Sequence, residues 1–272
     1  MAITVIKPKK IWSWEDFREI WRYKELLYFF VWRDIKVRYK QTVVGIGWAI
    51  FQPFMTMVVF SIFFGKLIQV PSDGIPYPIF VYTGLLFWQL FSSALADASN
   101  SLIGNAAIIT KVYFPRIILP LADTLNKFVD LFFAGIALLF LMFYYGYYPN
   151  LTGILLMPIL LVITSATAVG IGLIFASVNV KYRDVRYILP YFLQILLFLT
   201  PVIYPSSIAG KYAWLLSFNP MTGVIKAARS GILGTGPIGW HSLGVSAIAA
   251  LVLLSVGIYF FKKTERYFAD IV

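Results

Sequence analysis

Between Asp130 and Lys181 lie 50 residues without one charged side chain. No chain of this size can bury such a run in its own core, whereas a bilayer crossing needs about 20 apolar residues. Gly146, Pro149 and Asn150 interrupt the run with turn-forming residues, so it reads as two helices joined by a short turn. The composition agrees: 60% of the 272 residues are hydrophobic and 13% charged, against roughly 45–50% and 25% in a soluble domain. The reading is an all-α polytopic membrane protein, which excludes a water-soluble enzyme. With no cysteine, disulfides and thiolate chemistry are excluded, and His241 alone makes no histidine cluster. The net charge of +11 reads as a topology signal, with no nucleic-acid partner.

Charge-free gaps predict six transmembrane helices, at 43–64, 78–96, 131–145, 151–178, 188–204 and 243–261. Pro190 and Pro201 weaken the fifth. Ten Lys/Arg precede residue 43, and eighteen of the 23 fall on the side that carries both termini, which positive-inside places in the cytoplasm. The N-terminus has no signal-peptide pattern. Its Trp14, Phe17, Trp21, Tyr28 and Trp32 recur near helical spacing among charges, after a helix-start signal at Ser13 and Asp16. Residues 1–42 are therefore a cytoplasmic segment with an amphipathic interface helix, and 43–272 the transmembrane domain. Such a helix either lies in the headgroup plane or packs as a small soluble helix on the cytoplasmic ends.

Chemistry at depth is sparse. Asp123, Lys127 and Asp130 are spaced to form one ion-paired stripe on a helix, a structural tether rather than a coupling site. The stretch 234–239 (GTGPIG) matches a dinucleotide fingerprint in letters only, because no strand precedes it and Pro237 lacks an N–H, so it reads as an external turn. No G-x-x-x-x-G-K-[ST] loop occurs, so the chain has no Walker-type ATP site. Ala168, Gly172 and Ala176 make a small-residue stripe for close helix packing. Residues 205–239, rich in Gly and Pro, read as short external helices that cap or re-enter the membrane before the last span.

Longer stretches carry a resemblance. VRYKQTVVGIGWAIFQP (37–53), NAAIITKVYFPR (105–116), RDVRYILP (183–190) with FLTPVIYP (198–205), NPM (219–221) and KTERYFAD (263–270) resemble the permease subunit of ABC-2 type polysaccharide exporters, of the O-antigen (Wzm-type) kind. The similarity runs in order from about residue 12 to the C-terminus. It implies a homodimer in the bacterial inner membrane, paired with two copies of a separate ATPase that bind the ATP and Mg, no cofactor in this chain, and lipid-linked polysaccharide as cargo. It also implies an ATPase-coupling helix between the second and third spans, short gating helices in 205–240, and first and fifth spans that line the path between protomers.

A sugar polymer has apolar C–H faces and hydroxyl rims, so its path calls for aromatic platforms and side-chain amides. Trp48, Phe51, Gln52, Met55 and Val59 in the first span and Tyr191, Gln194 and Phe198 in the fifth have those types near helical spacing. The same aromatics would equally suit lipid contact. Asn105, Ile108, Thr110 and Lys111, with Arg183 and Asp184 in the Lys181–Arg186 connection, are the expected coupling residues. Arg33, Lys36, Arg38 and Lys40 are placed either to meet a lipid-linked pyrophosphate or simply to anchor the inner side. Three other readings stay open: a drug or small-molecule exporter of the same superfamily, an ATP-independent channel or secondary transporter, and a membrane glycosyltransferase, against which the lack of paired acidic motifs in a cytoplasmic loop argues.

Overall fold

The computed structural model describes residues 14–40, 45–182, 184–234 and 236–265, and these contain helices and no strand. Two helices at the N-terminus, α1 (Trp14–Arg22) and α2 (Lys24–Lys40), precede α3 (Gly47–Phe60), which a π-helical segment (Ser61–Leu67) continues. Then follow α4 (Tyr77–Gly104), the single turn α5 (Ala106–Ile109), α6 (Ile118–Tyr144), α7 (Leu151–Lys181) and α8 (Val185–Leu199). A 3₁₀ segment (Ser206–Tyr212), α9 (Ala213–Ser217) and α10 (Pro220–Leu233) lead to α11 (Trp240–Thr264). Ser13 of the expected helix start lies outside the described residues.

Among the described residues five helices are long and apolar enough to cross a bilayer: Gly47–Leu67, α4, α6, α7 and α11. The fifth expected span is the shorter α8, whose 15 residues reach about 22 Å against the roughly 30 Å of a hydrocarbon core. It stops at Leu199, before residue 204, because Thr200 is extended ahead of Pro201.

Helix α4 is the axis of the molecule. Most side chains from Phe80 to Leu102 are buried, against α7, α6, α3, α10 and α8. A helix sheathed by protein can carry polar groups that lipid would not tolerate, and α4 holds Thr83, Gln89, Ser93 and Asp97. Hydroxyls at depth bond back to their own helix: Thr83 to Ile79, Ser99 to Leu95, Thr164 to Leu160. The Ala168–Gly172–Ala176 stripe is internal packing, with Gly172 against Ala98 of α4.

At the end where the first and last described helices meet (the termini end), Phe30, Leu102, Ile109, Phe114, Leu173 and Phe261 form a second core. There α6 begins at Ile118, so Asp123, Lys127 and Asp130 are helical. They do not form the stripe expected from their spacing. Lys127 instead pairs with Asp97 of α4, and Asp130 with Arg38 of α2. The partners come from other helices because those can lie closer than neighbours along one helix, and they offset the cost of charge near the membrane.

The opposite end is assembled around α10, which is nearly all buried. Asn219 caps it, accepting from Met221 N at 3.0 Å, with Pro220 at the first position. Gly234 closes it in the left-handed region (φ 68°), in the turn that the sequence predicts at 234–239.

Candidate functional site

A crevice of about 290 Å³ opens at the termini end between α2, α3, α4 and α6. Trp48 and Gln52 line it from α3, Gln89 and Ser93 from α4, Arg38 and Tyr39 from α2, and Lys127 and Asp130 from α6. Leu86, Leu90, Leu131 and Ala134 make its apolar wall. Pro53, also in the wall, lacks the N–H that would reach the carbonyl of Ala49, leaving that carbonyl short of its usual donor.

The charges of the crevice are spent on one another. Arg38 Nη1 donates to Asp130 Oδ2 at 2.6 Å and Nη2 to Asp97 Oδ2 at 3.3 Å. The Tyr39 hydroxyl donates to Asp130, and Lys127 pairs with Asp97. Two cations thus meet two carboxylates. Burial and the bond to Asp130 push the Tyr39 phenol up to about 12. Burial disfavours the Arg38 charge, but Asp130 and Asp97 outweigh it and the guanidinium holds its proton more tightly than usual. By contrast the amides of Gln52 and Gln89 make no hydrogen bond to the described residues, and Trp48 is 53% exposed beside them. A near-neutral slot with an indole face, two open amides and a hydroxyl suits a neutral hydroxylated ligand better than an anion.

Only some of the expected path residues converge there. Trp48 and Gln52 do. Phe51, Met55 and Val59 lie exposed on the outer side of α3, with Phe51 edge-on to Trp48 at 5.4 Å. Tyr191, Gln194 and Phe198 are exposed on α8, which packs through Phe192 onto Phe175 of α7. Both helices therefore present an uncovered face that carries the aromatics and amides expected of a path.

Of the four basic residues expected at the intake, Arg38 is tied into the crevice and Arg33 donates to Asp34 (2.7 Å) and to Asn105 (3.0 Å). Lys36 lies over the Trp32 ring at 3.8 Å, and Lys40 is exposed. Asn105 caps the C-terminus of α4, donating to Ser101 O at 2.9 Å. Thr110, Lys111 and Asp184 are exposed, Ile108 is half-buried against the second core, and Arg183 lies outside the described residues.

A family model described as ABC-2 type transporter matches residues 25–233, well over half of the chain. The chain belongs to the ABC-2 type transporter family. It is 29% identical over 241 residues to an O-antigen export system permease protein RfbA of Klebsiella pneumoniae, covering 88% of this chain and 92% of that one. The RfbA protein of Myxococcus xanthus is 27% identical over 257 residues, with 93% and 97% covered. The polysialic acid transport protein KpsM of Escherichia coli is 25% identical over 239 residues, with 86% and 91% covered.

In this ABC-2 transporter chain the segment after α5 holds residues that sequence reasoning passed over. Val112 and Tyr113 are 57% and 77% exposed, an apolar pair on the connection between α5 and α6. Their signal was visible as two large apolar residues in a linker flanked by Lys111 and Arg116. The segment is held at three points: by Arg33 at Asn105, by Glu19 at Tyr113 (3.4 Å), and by Glu265, which accepts from Arg116 N at 3.2 Å. Gln89, Ser93 and Tyr39 were missed because only the folded bundle brings them to Trp48.

Proposed function

We propose that this chain is the membrane-spanning subunit of an ATP-driven exporter of lipid-linked polysaccharide, acting as a homodimer with two copies of a separate ATPase that bind ATP and Mg. Relatives named for O-antigen and polysialic acid export, matched over about nine tenths of their length, support a polysaccharide cargo over a drug. The observation that carries the reading is the crevice, where Trp48, Gln52, Gln89 and Ser93 stand ready for a sugar while the ionic groups neutralise one another. In this reading α8 makes a sixth crossing, both termini are cytoplasmic in a bacterial inner membrane, and residues 1–42 lie at the inner surface ahead of the transmembrane domain. The exposed faces of α3 and α8, with Trp48, Phe51, Gln52, Met55, Tyr191, Gln194 and Phe198, flank the path between protomers.

The energy enters where the ATPase docks. Asn105, Ile108, Thr110, Lys111, Arg183 and Asp184 belong to that surface, with Val112 and Tyr113 as its apolar contacts. A partner moves the permease only by binding one state better than the other. The Arg33–Asn105 bond carries such a push to α2, whose far end is Arg38 in the crevice wall. Lys36 and Lys40 remain to meet the pyrophosphate of the lipid carrier, while Arg33 and Arg38 serve as ties.

Deleting the gene is expected to remove the surface polysaccharide and leave lipid-linked polymer inside the cell, and the wild-type gene to restore export. Unchanged surface polymer in the deletion strain would overturn the cargo. Val112→Glu, present at wild-type level, is expected to lose the ATPase on co-purification; full recovery of the ATPase would move the docking surface elsewhere.

A further inference from the structure

At the end opposite the termini, two adjoining cavities of about 380 and 410 Å³ share Asp73, Ser206 and Lys226. Each is within the roughly 300–1,000 Å³ typical of small-ligand sites. Their walls come from widely separated parts of the chain: the loop before α4, Phe80 of α4, the stretch after α8 that holds Pro201 and Pro205, the 3₁₀ segment, α9, α10, the turn before α11 and the start of α11. Six hydroxyls line them, from Ser206, Ser207, Ser217, Thr222, Ser230 and Ser242. The apolar part of the wall is Pro201, Pro237 and Ile238 on one side and Leu216 on the other.

Two of the polar groups are unspent. Lys226 is exposed and makes no hydrogen bond or ion pair with the described residues. The Thr222 hydroxyl is buried and also has no hydrogen-bond partner among the described residues. The second cation of these cavities, Arg229, is different, since its guanidinium is committed to backbone carbonyls at Phe80, Pro201 and Val202. Among the described residues Asp73 accepts one long hydrogen bond, from Ser207 at 3.5 Å, and its charge faces Arg229. A hydroxyl donates and accepts, a lysine only donates and a carboxylate only accepts, so together the set matches vicinal sugar hydroxyls whichever way they point. Pro and Ile surfaces suit the C–H face of the ring. Individually these contacts are weak, which a conducting path requires of each of its sites.

We infer that this double cavity is a saccharide subsite, in which Lys226, Asp73 and the surrounding hydroxyls hold one or two sugar units of the polymer as it emerges. The inference rests on the polysaccharide reading and adds to it a second, outer contact that is separate from the Trp48 crevice.

The test uses the permease–ATPase complex in nanodiscs and, as probe, the polysaccharide freed of lipid by mild acid from the surface of a strain that carries the wild-type gene. Binding is followed by saturation-transfer NMR on the sugar protons. Lys226→Met is expected to weaken binding about tenfold, the loss of one charge-assisted hydrogen bond. Asp73→Asn and the Ser206→Ala/Ser217→Ala pair are expected to weaken it as well, while Phe140→Ala, on the bare face of α6 and in neither site, leaves binding unchanged. Wild-type affinity in Lys226→Met and Asp73→Asn, with the complex eluting and melting as wild type, overturns the subsite. So does an absence of binding to the wild-type complex while cells still export polymer. If the deletion strain exports normally, the polysaccharide reading itself has failed, a result these binding measurements do not mimic.

Discussion

Past the end of α8 at Leu199 the chain from Thr200 to Ile203 is buried and non-helical, so its carbonyls need donors from elsewhere. Arg229 reaches across from α10 and donates to Pro201 O (2.8 Å) and Val202 O (2.5 Å), then to Phe80 O of α4 (3.2 Å), with its plane 3.5 Å from the Phe80 ring. Asn219 donates to the Thr200 hydroxyl at 2.7 Å, and Tyr77 to Ile203 O at 2.8 Å. One guanidinium thus serves carbonyls on two segments. Gly84 makes the room, for a Cβ there would stand 2.8 Å from Arg229 Nη2. Arg229→Met keeps the bulk and strips the donors, and each orphaned carbonyl costs about 1–3 kcal/mol. The variant is expected to melt well below wild type in detergent, with Arg229→Lys in between because an ammonium lacks the planar fork. Tyr39 is a second case, readable by pH. Its phenol is raised to about 12 from ~10 in an unfolded chain, so the contact with Asp130 contributes fully below pH ~10 and is lost as pH rises through 12. The stability gap between wild type and Tyr39→Phe should therefore shrink between pH 10 and 12. A gap that stays constant would remove Tyr39 as the titrating group.

Helix α7 shows how elements are held where lipid supplies no apolar drive between them. One side of it lays Ala168, Gly172 and Ala176 on α4. Gly170, on another side, lies so near α11 that a Cβ would stand 2.6 Å from the backbone of Leu253 and Leu254, and Gly153 comes as close to Gly231 of α10. Gly170→Val should force α7 and α11 apart and cut the yield of folded protein, at an overpacking cost of about 1–3 kcal/mol or more; a variant that melts as wild type would mean that α11 can slide. The existence of these helices was legible because charge-free length is a property of the sequence alone. Their ends were not. Asp123, Lys127 and Asp130 read as a stripe paired along one helix, whereas Asp97 and Arg38 arrive from other helices to pair with Lys127 and Asp130. The same holds for the crevice. Trp48 and Gln52 announced themselves as an indole and an amide one turn apart, whereas Gln89 and Ser93 sit in the middle of α4 and acquire a role only from what packs beside them.

For the molecule as a whole, the uneven coverage of its helices is the main guide to assembly. Helix α4 is sheathed on nearly every side, while Gly47–Leu67 is largely bare and exposes Phe51, Met55 and Val59 along one face. Helix α6 is also bare, at Phe132, Phe140 and Phe143, and these aromatics have no amide among them. The face of α3 differs in holding Gln52, whose amide is costly against lipid unless water, sugar or protein meets it. In the proposed homodimer the α3 face would meet the second protomer and the path, and the α6 face lipid. Because the chain has no cysteine, single cysteines report on this without further engineering. Met55→Cys in membranes is expected to give a cross-linked dimer with a short bis-maleimide, and Phe140→Cys to remain monomeric. The reverse result would put α6 at the interface and turn the Trp48–Gln52 face outward, and the crevice would then feed a groove at the lipid boundary instead of a seam between two subunits.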